Sequence, residues 1–333
     1  MDQCNKMSAT GNRYARQMVL PEVGLEGQLK LAEAHVLVVG AGGLGVPVLQ
    51  YLAGAGVGTI TIVDPDEVSL SNLHRQTLYG EQYLSASKAE TAAQILQKLN
   101  SDISINAIHT SLDPSNVKKL CCGVSIVLDC ADSFAVSYIL SNHCLAQNIP
   151  FISASALALS GYVGGFCGGA PSLRALFPDL PAQAGNCATA GVLGPVVGTI
   201  GSLQAQMALS QILGLAPSPL GQLVRFDAQT FRFSSFRFDE APEPENGGLQ
   251  FIAPSDIQNE DFIIELRGLD EVSDAIHPGA TRIHVDEYQD NVLVPAHLNQ
   301  RAVFVCKSGL RAHRAATQLQ NQWDGNIVLV AAG

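Results

Sequence analysis

Two hydrophobic patterns alternate along the first half of this chain. Short runs such as VLVV (36–39) and ITIV (60–63) are wholly or almost wholly apolar, and longer segments with helical spacing of apolar residues follow them. A strand that is apolar at nearly every position is buried on both faces, as happens when helices cover both sides of a parallel sheet. The pattern therefore predicts an α/β fold with a doubly wound, mostly parallel sheet.

The alternation continues as far as residue 153. The predicted strands are His35–Val39, Thr59–Val63, Ile103–Ile108, Val124–Asp129 and Pro150–Ser153. The predicted helices are Leu25–Ala34, Gly43–Gly56, Ser87–Asn100 and Ser133–Gln147. From Gly161 onward the pattern changes to short glycine-rich strands, a long uncharged helix and a hairpin, LVRFDAQTFRFSSFRF.

A linker is predicted where the pattern stops, at FDEAPEPENGG (238–248), because Pro, Glu and Gly resist regular structure. A smaller α/β unit follows, with predicted strands Phe262–Leu266, Ala302–Val305 and Ile327–Val330 and helix Arg311–Gln322. The predicted organisation is a flexible N-terminus (1–12), a large first domain (13–238), a linker (239–248) and a second domain (249–333).

Composition excludes several classes of protein. Of the 333 residues, 47% are hydrophobic and only 15% are charged, so the chain is expected to be globular. A net charge of −11 argues against nucleic acid as a partner, since phosphate backbones attract clustered Lys and Arg. The N-terminus has no apolar signal region, and the eight cysteines show no regular spacing, so a cytoplasmic location with reduced thiols is expected.

One uncharged stretch, from Leu180 to Val224, is long enough to cross a bilayer. Its glycines, its proline and its glutamines are atypical of a membrane span, and no Lys/Arg cluster flanks it. We therefore expect a buried helix rather than contact with a membrane.

A glycine-rich turn follows the first strand. Gly40, Gly42 and Gly45 form a GxGxxG pattern, with Gly43 inside it, and the acid Asp64 ends the second strand. Such a turn binds phosphates through bare amides and the positive end of the next helix dipole, while the acid accepts from ribose hydroxyls. Taken alone, this is a Rossmann-like dinucleotide site, and an NAD-dependent oxidoreductase is one interpretation.

The polar residues beyond the second strand favour a different ligand. Asp66, Asn72, Arg75, Gln76 and Lys88 lie just past that strand, where a dehydrogenase needs only adenosine contacts. Two cations beside acids suit a triphosphate with Mg²⁺, because catalysis at phosphorus depends on positioning and charge neutralisation. The alternative is that the cations are ordinary surface ion-pair residues.

A second group of polar residues, DCAD (129–132), ends another apolar strand at the same predicted edge of the sheet. Asp132 is therefore a candidate for the metal or the phosphate side of the site. An equally consistent role on spacing alone is the N-cap of the helix that begins at Ser133.

An ordered set of motifs resembles the MoeB/ThiF family (HesA/MoeB/ThiF), which comprises the ubiquitin-activating-enzyme-like adenylyltransferases of sulfur-carrier proteins. The motifs that carry the resemblance are RYARQ (13–17), VVGAGGLG (38–45), Asp64, SNLHRQ (71–76), Lys88, LDCAD (128–132) and NCATAGVLGP (186–195). The resemblance extends from Arg13 to about Phe236, and an ordered set of this kind is more specific than any single motif.

The resemblance implies a homodimer that binds Mg-ATP and the Gly-Gly tail of a small ubiquitin-like sulfur carrier, of the molybdopterin-synthase small-subunit or ThiS type. The carrier's carboxylate would attack the α-phosphate of ATP, giving an acyl-adenylate and pyrophosphate. The ATP-site residues implied are Gly40, Gly42, Gly43, Gly45, Asp64, Ser71, Asn72, Leu73, His74, Arg75, Gln76, Lys88, Asp132 and Ser133. Asp132 would coordinate Mg²⁺, and Arg16 would reach the partner subunit's ATP site.

Cys187 is a candidate nucleophile because it lies in a Gly/Ala-rich stretch just before a predicted helix, where amides favour a thiolate. A buried core cysteine is the alternative. The resemblance implies a thioester or acyl-disulfide with the carrier at this position in several members of the family.

Cys306 is the stronger candidate. The sequence AVFVCKSGLRAHRAA predicts a strand, a tight loop and a helix, with Gly309 allowing the turn and Lys307 and Arg311 adding positive charge. Converging amides and nearby cations favour a thiolate or a persulfide. The loop CKSGLR resembles a rhodanese active-site loop, and IELR (264–267) and IHPGA (276–280) resemble altered forms of two other rhodanese signatures.

The rhodanese resemblance covers 249–333 and implies sulfur transfer from a Cys306 persulfide to the activated carrier, with a donor such as a cysteine desulfurase loading the thiol. A docking or regulatory role for this domain is the alternative.

Many members of the MoeB/ThiF family hold zinc through two Cys pairs. This chain has Ser172 and Ala175 at the first pair and no cysteine in the linker. We therefore predict no zinc site.

Overall fold

The computed structural model describes residues 13–178, 191–245 and 247–332, which form two sheets flanked by helices. The first sheet contains the strands β1 His35–Val39, β2 Thr59–Val63, β3 Ser104–Ile108, β4 Ile126–Asp129, β5 Phe151–Leu157, β6 Ser160–Phe166, β7 Gln222–Asp227 and β8 Arg232–Arg237. Its order is β3-β2-β1-β4-β5-β6-β7-β8. The pairings from β3 to β5 are parallel, and those from β5 to β8 are antiparallel.

The helices that accompany this sheet lie before β1 and between its strands. They are α1 Ala15–Met18, α2 Gly24–Glu33, α3 Gly45–Ala55, α4 Lys88–Leu99, α5 Val117–Leu120, α6 Phe134–Gln147, α7 Leu173–Leu176 and α8 Gly194–Leu213. The doubly wound, mostly parallel architecture predicted from the sequence is confirmed.

Residues of β1 alternate between two cores. Val36 and Val38 belong to an apolar cluster with residues of α3 and α8, whereas Leu37 and Val39 belong to another with residues of α6. All four side chains are at most 4% exposed. Helices on both faces of the sheet thus explain why this strand has no polar position after His35.

Element boundaries agree with the sequence predictions within a few residues. Strands β1 and β2 begin and end as predicted. Helix α3 begins two residues later than predicted, at Gly45, because the preceding glycines form the turn that leaves β1. Strand β5 continues to Leu157 because its second half pairs with β6, a partner that the local pattern did not reveal.

The second sheet contains β9 Gln250–Phe251, β10 Phe262–Glu265, β11 Thr281–Arg282, β12 Ala302–Cys306 and β13 Ile327–Ala331. Its order is β11-β10-β12-β13-β9, and its pairings are all parallel. Helices α9 Val285–Asp290 and α10 Leu310–Gln320 accompany it. The predictions missed β9 and β11, which are two residues long and too short to show a pattern.

The uncharged stretch contains helix α8, which packs along the first sheet with Val196, Ile200, Gln204 and Ala208 buried. The polar member of this set, Gln204, donates from Nε2 to the carbonyls of Asp129 (2.7 Å) and Ile152 (3.1 Å). Within the described ranges, no helix is long and apolar enough to span a bilayer.

Candidate functional site

The glycine turn lies where the strand order reverses. Strand β1 is flanked by β2 and β4, so the loops that leave β1 and β4 meet at the carboxyl edge of the sheet. Gly40 has φ +98°, and a Cβ built there would lie 2.6 Å from the carbonyl carbon of Cys130. Ligands of doubly wound sheets bind in the crevice at such a reversal.

Gly45 is the first residue of α3. Glycine is required at this position because the backbone passes very close to the backbone of Gly40. A Cβ at this position would lie 2.0 Å from the carbonyl oxygen of Gly40, which is shorter than any real contact. Side-chain-free residues at both ends of the turn therefore let the chain fold tightly back and expose amides near the start of α3.

Asp64 braces the turn from the end of β2. Its Oδ2 accepts from the amide of Ala41 (2.6 Å) and its Oδ1 from the amide of Asp66 (2.8 Å). Burial raises the pKa of Asp64 by desolvation, and the two amide hydrogen bonds and Lys88 oppose that rise. The carboxyl group, 4% exposed, is thus fixed beside the turn.

Tyr79 is a residue of this site that the sequence analysis missed. Its hydroxyl donates to the carbonyl of Ala41 (2.7 Å) and also lies 3.3 Å from the carbonyl of Lys88. Burial raises the pKa of Tyr79 far above its usual value, so the phenol remains a neutral donor. A tyrosine in a loop has no distinguishing pattern, so only the fold reveals this contact.

Arg75 lies beside the turn. Its Nη2 donates to Oδ1 of Asn72 (2.7 Å), and its Nη1 lies 2.8 Å from Nε2 of His74. A Cβ at Gly43 would come within 3.6 Å of the Cγ and Cδ atoms of Arg75. The guanidinium is therefore held by an amide and an imidazole next to the predicted phosphate turn.

Lys88 is almost completely buried at the start of α4, with 3% of the residue exposed. Its Nζ contacts Oδ2 of Asp66 at 2.8 Å, and the Asp66 side chain is 64% exposed. The prediction that Arg75 and Lys88 are ordinary surface ion-pair residues fits neither side chain, because Lys88 is buried and Arg75 is held by Asn72 and His74.

The SNLHRQ segment forms a short 3₁₀ turn, Leu70–Asn72, followed by Leu73 and His74. Ser71 is exposed and its hydroxyl lies 3.1 Å from that of Ser69. A Cβ at Gly194, the first residue of α8, would lie 2.6 Å from the carbonyl oxygen of His74. The N-terminus of α8 therefore packs directly against this segment.

Gln76 is 3% exposed, and its Oε1 has no hydrogen-bond partner among the described residues. Its Nε2 lies 3.3 Å from the position that a Cβ at Gly42 would take. An unpartnered buried amide oxygen is costly, and a ligand that donates a hydrogen bond here would satisfy it. The site therefore fits a nucleotide, which carries both donors and phosphate acceptors.

The loop after β4 separates a buried carboxylate from an exposed one. Asp129 is fully buried, and desolvation raises its pKa to about 6, although Ser137, Ser153 and the amide of Ala131 lower it. Asp132 is exposed at the rim of the crevice. Helix α6 begins after Ser133 as its N-cap residue, so the alternative that Asp132 is the N-cap is wrong.

Two predicted residues are not among the contacts described above. Arg16 is exposed on α1. Cys187 lies outside the described residues.

Cys306 ends β12 and is fully buried. Its Sγ accepts from the amides of Gly309 (3.1 Å) and Ala312 (3.3 Å). Gly309 has φ +85° and is the N-cap of α10, so the chain turns around the sulfur. The loop amides converge on the thiol as the sequence predicts, and they favour a thiolate or a persulfide anion.

The arginines near this loop are neutralised by acids. Arg311 donates to both oxygens of Glu271 (2.6 and 2.7 Å), and these hydrogen bonds lower the pKa of Glu271 to about 2. Arg267 similarly binds both oxygens of the fully buried Glu265. Lys307 is exposed. The sequence predicts that Arg311 adds positive charge to the loop, but it does not reveal the pairing with Glu271, which is 40 residues away in sequence.

The glycine turn, the buried acid Asp64 and the two cations Arg75 and Lys88 lie at a strand-order reversal, which is typical of a nucleotide-binding α/β protein of the doubly wound class. The ThiF family model matches residues 14–247, and the chain belongs to the ThiF family. The interpretation as an NAD-dependent oxidoreductase rested on the turn and Asp64, and family membership accounts for both.

Curated relatives agree with this assignment. The chain is 45% identical over 229 residues to the adenylyltransferase and sulfurtransferase MOCS3 of Xenopus laevis, covering 68% of this chain and 51% of the relative. It is 44% identical over 219 residues to that of Sus scrofa, covering 65% and 48%. The chain thus spans about half the length of the curated relatives it matches.

Solved structures show the same fold. Escherichia coli MccB in complex with MccA-N7isoASN has a TM-score of 0.64 at 24% identity, covering 72% of this chain and 75% of that one. The structure of the same protein with ATP has a TM-score of 0.62 at 24% identity, covering 71% and 73%.

In the part of the chain that the structure describes, no three His, Cys, Asp or Glu side chains are grouped to hold a metal ion. Mg²⁺ does not require such a group, since it usually binds one or two carboxylates together with substrate phosphates and water.

Proposed function

We propose that this protein adenylates the C-terminal Gly-Gly carboxylate of a small ubiquitin-like sulfur carrier and then passes sulfur to it from a persulfide on Cys306. The observation that carries the first step is the meeting of the bare glycine turn, Arg75 and buried Lys88 at the strand-order reversal of a ThiF-family sheet. The printed name of the MOCS3 relatives, adenylyltransferase and sulfurtransferase, supports both steps.

In the proposed adenylation, a carboxylate oxygen of the carrier bonds to the α-phosphorus of ATP while the bond from that phosphorus to pyrophosphate breaks. Arg75 neutralises charge that develops on the phosphates, and its hydrogen bond to Asn72 fixes its direction in advance. Lys88 exchanges its contact with Asp66 for a phosphate oxygen. Asp64 and the amides around Gly43 position the ribose and the phosphates.

Asp132, exposed at the rim after β4, is the residue we propose to hold Mg²⁺ together with the phosphates. The ion would add positive charge where the leaving pyrophosphate becomes more negative. Arg16, exposed on α1, would reach the second subunit of a homodimer.

In the proposed sulfur transfer, the outer sulfur of the Cys306 persulfide bonds to the acyl carbon and AMP leaves. A second thiol then attacks the sulfur–sulfur bond, forming a disulfide with Cys306 and releasing the carrier thiocarboxylate. Cys187 is the candidate for that thiol, or for a thioester intermediate. The amides of Gly309 and Ala312 stabilise the persulfide anion. A cysteine desulfurase would load the persulfide in the cytoplasm.

ATP–pyrophosphate exchange tests the first step. Purified protein is assayed with a panel of Gly-Gly-ending ubiquitin-like proteins and with the same proteins lacking both glycines. Exchange is expected with at least one intact carrier and none with its truncated form. Arg75→Ala should lower the exchange rate about 10²- to 10³-fold, whereas Arg232→Ala on exposed β8 should not. No exchange with any carrier contradicts the proposal.

Mass spectrometry of the carrier tests the second step. Cys306→Ala should retain exchange but lose thiocarboxylate formation from a persulfide donor. If thiocarboxylate still forms at the wild-type rate, Cys306 does not supply the transferred sulfur.

The second candidate function keeps the adenylation and assigns the C-terminal unit a docking or regulatory role. The burial of Cys306 and the pairing of both nearby arginines favour it. The Cys306→Ala measurement distinguishes the two, since a docking unit does not need the thiol.

A further inference from the structure

The linker is fastened to the first unit by a carboxylate. Both oxygens of Glu243 accept from Ser172, one from its amide (2.6 Å) and the other from its hydroxyl (2.5 Å). Ser172 is 1% exposed and is also the N-cap of α7, with its hydroxyl accepting from the amides of Arg174 and Ala175. The linker is thus held to α7 at a defined point.

Arg174 extends this attachment to the second sheet. It is 3% exposed, and its Nη2 donates to the carbonyl of Leu249 (2.7 Å), immediately before β9. Its Nε donates to Oδ1 of Asn142 on α6 (2.9 Å), and its guanidinium lies over the ring of Tyr138 at 4.5 Å. A buried guanidinium therefore joins α6, α7 and the first residues of the second unit.

The side chain next to Leu249 makes a further contact across the same boundary. Gln250 accepts at Oε1 from Nδ2 of Asn142 (2.9 Å). We call Ser172, Arg174, Asn142 and Glu243 the linker clasp.

Strand β9 begins directly after Leu249, which the linker clasp holds. This strand covers the Cys306 loop. A Cβ at Gly309 would lie 2.7 Å from the ring of Phe251, in β9, and 3.3 Å from Cβ of Ala135, in the first turn of α6. Ala135, Phe251 and Cys306 belong to one apolar cluster that spans both units. Ala135 of the first unit thus lies directly on the loop that bears the thiol, beside Phe251 of the second unit's own sheet.

We propose that the linker clasp holds the second unit against α6 and thereby closes the Cys306 thiol to solvent and partners, and that release of the clasp opens it. The closure itself does not depend on the proposed function; the use of the opened thiol for sulfur transfer rests on it. Arg174 is the positioning residue, because it alone in the clasp reaches α6, Tyr138 and the backbone before β9. The loop cannot receive sulfur from another protein while Phe251 and Ala135 cover it.

The rate of cysteine alkylation by iodoacetamide, resolved by peptide mass spectrometry, measures this closure in the full-length protein. Exposed Cys122 and fully buried Cys144 serve as internal references. In the wild type, Cys306 is expected to react at least about tenfold more slowly than Cys122. Arg174→Ala should raise the Cys306 rate about tenfold or more without changing that of Cys144.

Two further variants sharpen the result. Glu243→Gln keeps an acceptor for Ser172 and should raise the Cys306 rate less than Arg174→Ala does. The matched control is Arg232→Ala, on the exposed strand β8, which should leave the rate unchanged.

Three outcomes would overturn the proposal. Cys306 could react as fast as Cys122 in the wild type, its rate could stay unchanged in Arg174→Ala, or Cys144 could be exposed together with Cys306 in both clasp variants. The last outcome means general unfolding rather than opening. ATP–pyrophosphate exchange by the same samples reports separately on adenylation, so the two proposals fail independently.

Discussion

The nucleotide crevice and the Cys306 loop share a backbone plan but differ in exposure and in the pairing of their charged side chains. Each is a turn at the carboxyl end of a buried parallel strand, followed by a helix, with glycine where the backbone must turn or approach closely. In the crevice, Arg75 is held by Asn72 and His74, Lys88 contacts the exposed Asp66, and Asp132 is exposed at the rim. In the loop, the thiol is fully buried and Arg311 is paired with Glu271.

The difference follows from what each site holds. Phosphates bring their own negative charge, so a crevice that receives them benefits from cations that acids do not already saturate. In the Cys306 loop two backbone amides donate to the thiol, and the nearby Arg311 is paired with Glu271. The same strand–turn–helix plan therefore forms an open crevice in one unit and a covered thiol in the other.

The largest effect is expected for a substitution at Gly45, in the turn of the nucleotide crevice. Gly45→Ala places a methyl group against the backbone oxygen of Gly40, so the turn must move and its amides lose their alignment. We expect the free energy of unfolding to fall by about 3 kcal/mol and ATP affinity to fall at least about tenfold. Urea denaturation and nucleotide titration measure the two changes.

Gly54→Ala in the same helix is the matched control. A Cβ there meets nothing within 4 Å, so the substitution should stabilise the protein by about 0.5–1 kcal/mol. Equal effects of the two substitutions would show that helix propensity, not the turn, governs Gly45.

A second, smaller effect is expected at Asp129, the buried acid beside the crevice, whose contribution to stability should depend on pH. Burial raises the pKa of Asp129 to about 6 in the folded protein, whereas an aspartate in the unfolded chain has a pKa near 4. Between these two pH values the folded protein therefore binds a proton that the unfolded chain does not. Stability from this group is fully present below about pH 4 and is lost as the pH rises through 6. The advantage of wild type over Asp129→Asn should therefore shrink by roughly 2–3 kcal/mol between pH 4 and pH 7.

Urea denaturation of both proteins across that range makes the measurement. Asp290→Asn, at an exposed aspartate of α9, is the control and should show no such trend. An advantage that grows with pH would mean that hydrogen bonds to the carboxylate outweigh its desolvation.

The smallest effect concerns the Cys306 loop. Glu271→Gln removes the charge that neutralises Arg311, and we expect a loss of about 1 kcal/mol at pH 7, because both side chains are 29% exposed. The lowered pKa of Glu271 means that this contribution is present above about pH 4.5 and is lost as the pH falls toward 2.

Denaturation of Glu271→Gln beside Glu287→Gln, an exposed acid of α9, tests this value. A larger loss that appears together with faster alkylation of Cys306 would show that Arg311 also helps to close the loop.

Local sequence was a sound guide wherever burial imposes a pattern. Strands β1 and β2 were predicted to the residue because a helix-covered strand has to be apolar along its whole length. The turn at Gly40 was found because glycine there satisfies a backbone requirement. Strands β9 and β11 were missed because two residues carry no period.

The same limit applies to the candidate site. The motif order identified the glycine turn, Asp64, Arg75 and Lys88. It did not reveal Tyr79 or Gln204, because both donate to backbone carbonyls of residues distant in sequence, and such contacts leave no pattern in the sequence.

The sequence by itself determined the α/β class, the family resemblance and the candidate residues at the glycine turn, since periodicity and motif order are local properties of the chain. Only the tertiary structure decided which charges are free and which groups are covered. Arg311 meets Glu271, and Arg174 joins α6 to the start of β9, across separations of many residues. Pairing and burial depend on neighbours that folding brings together, so no local pattern records them.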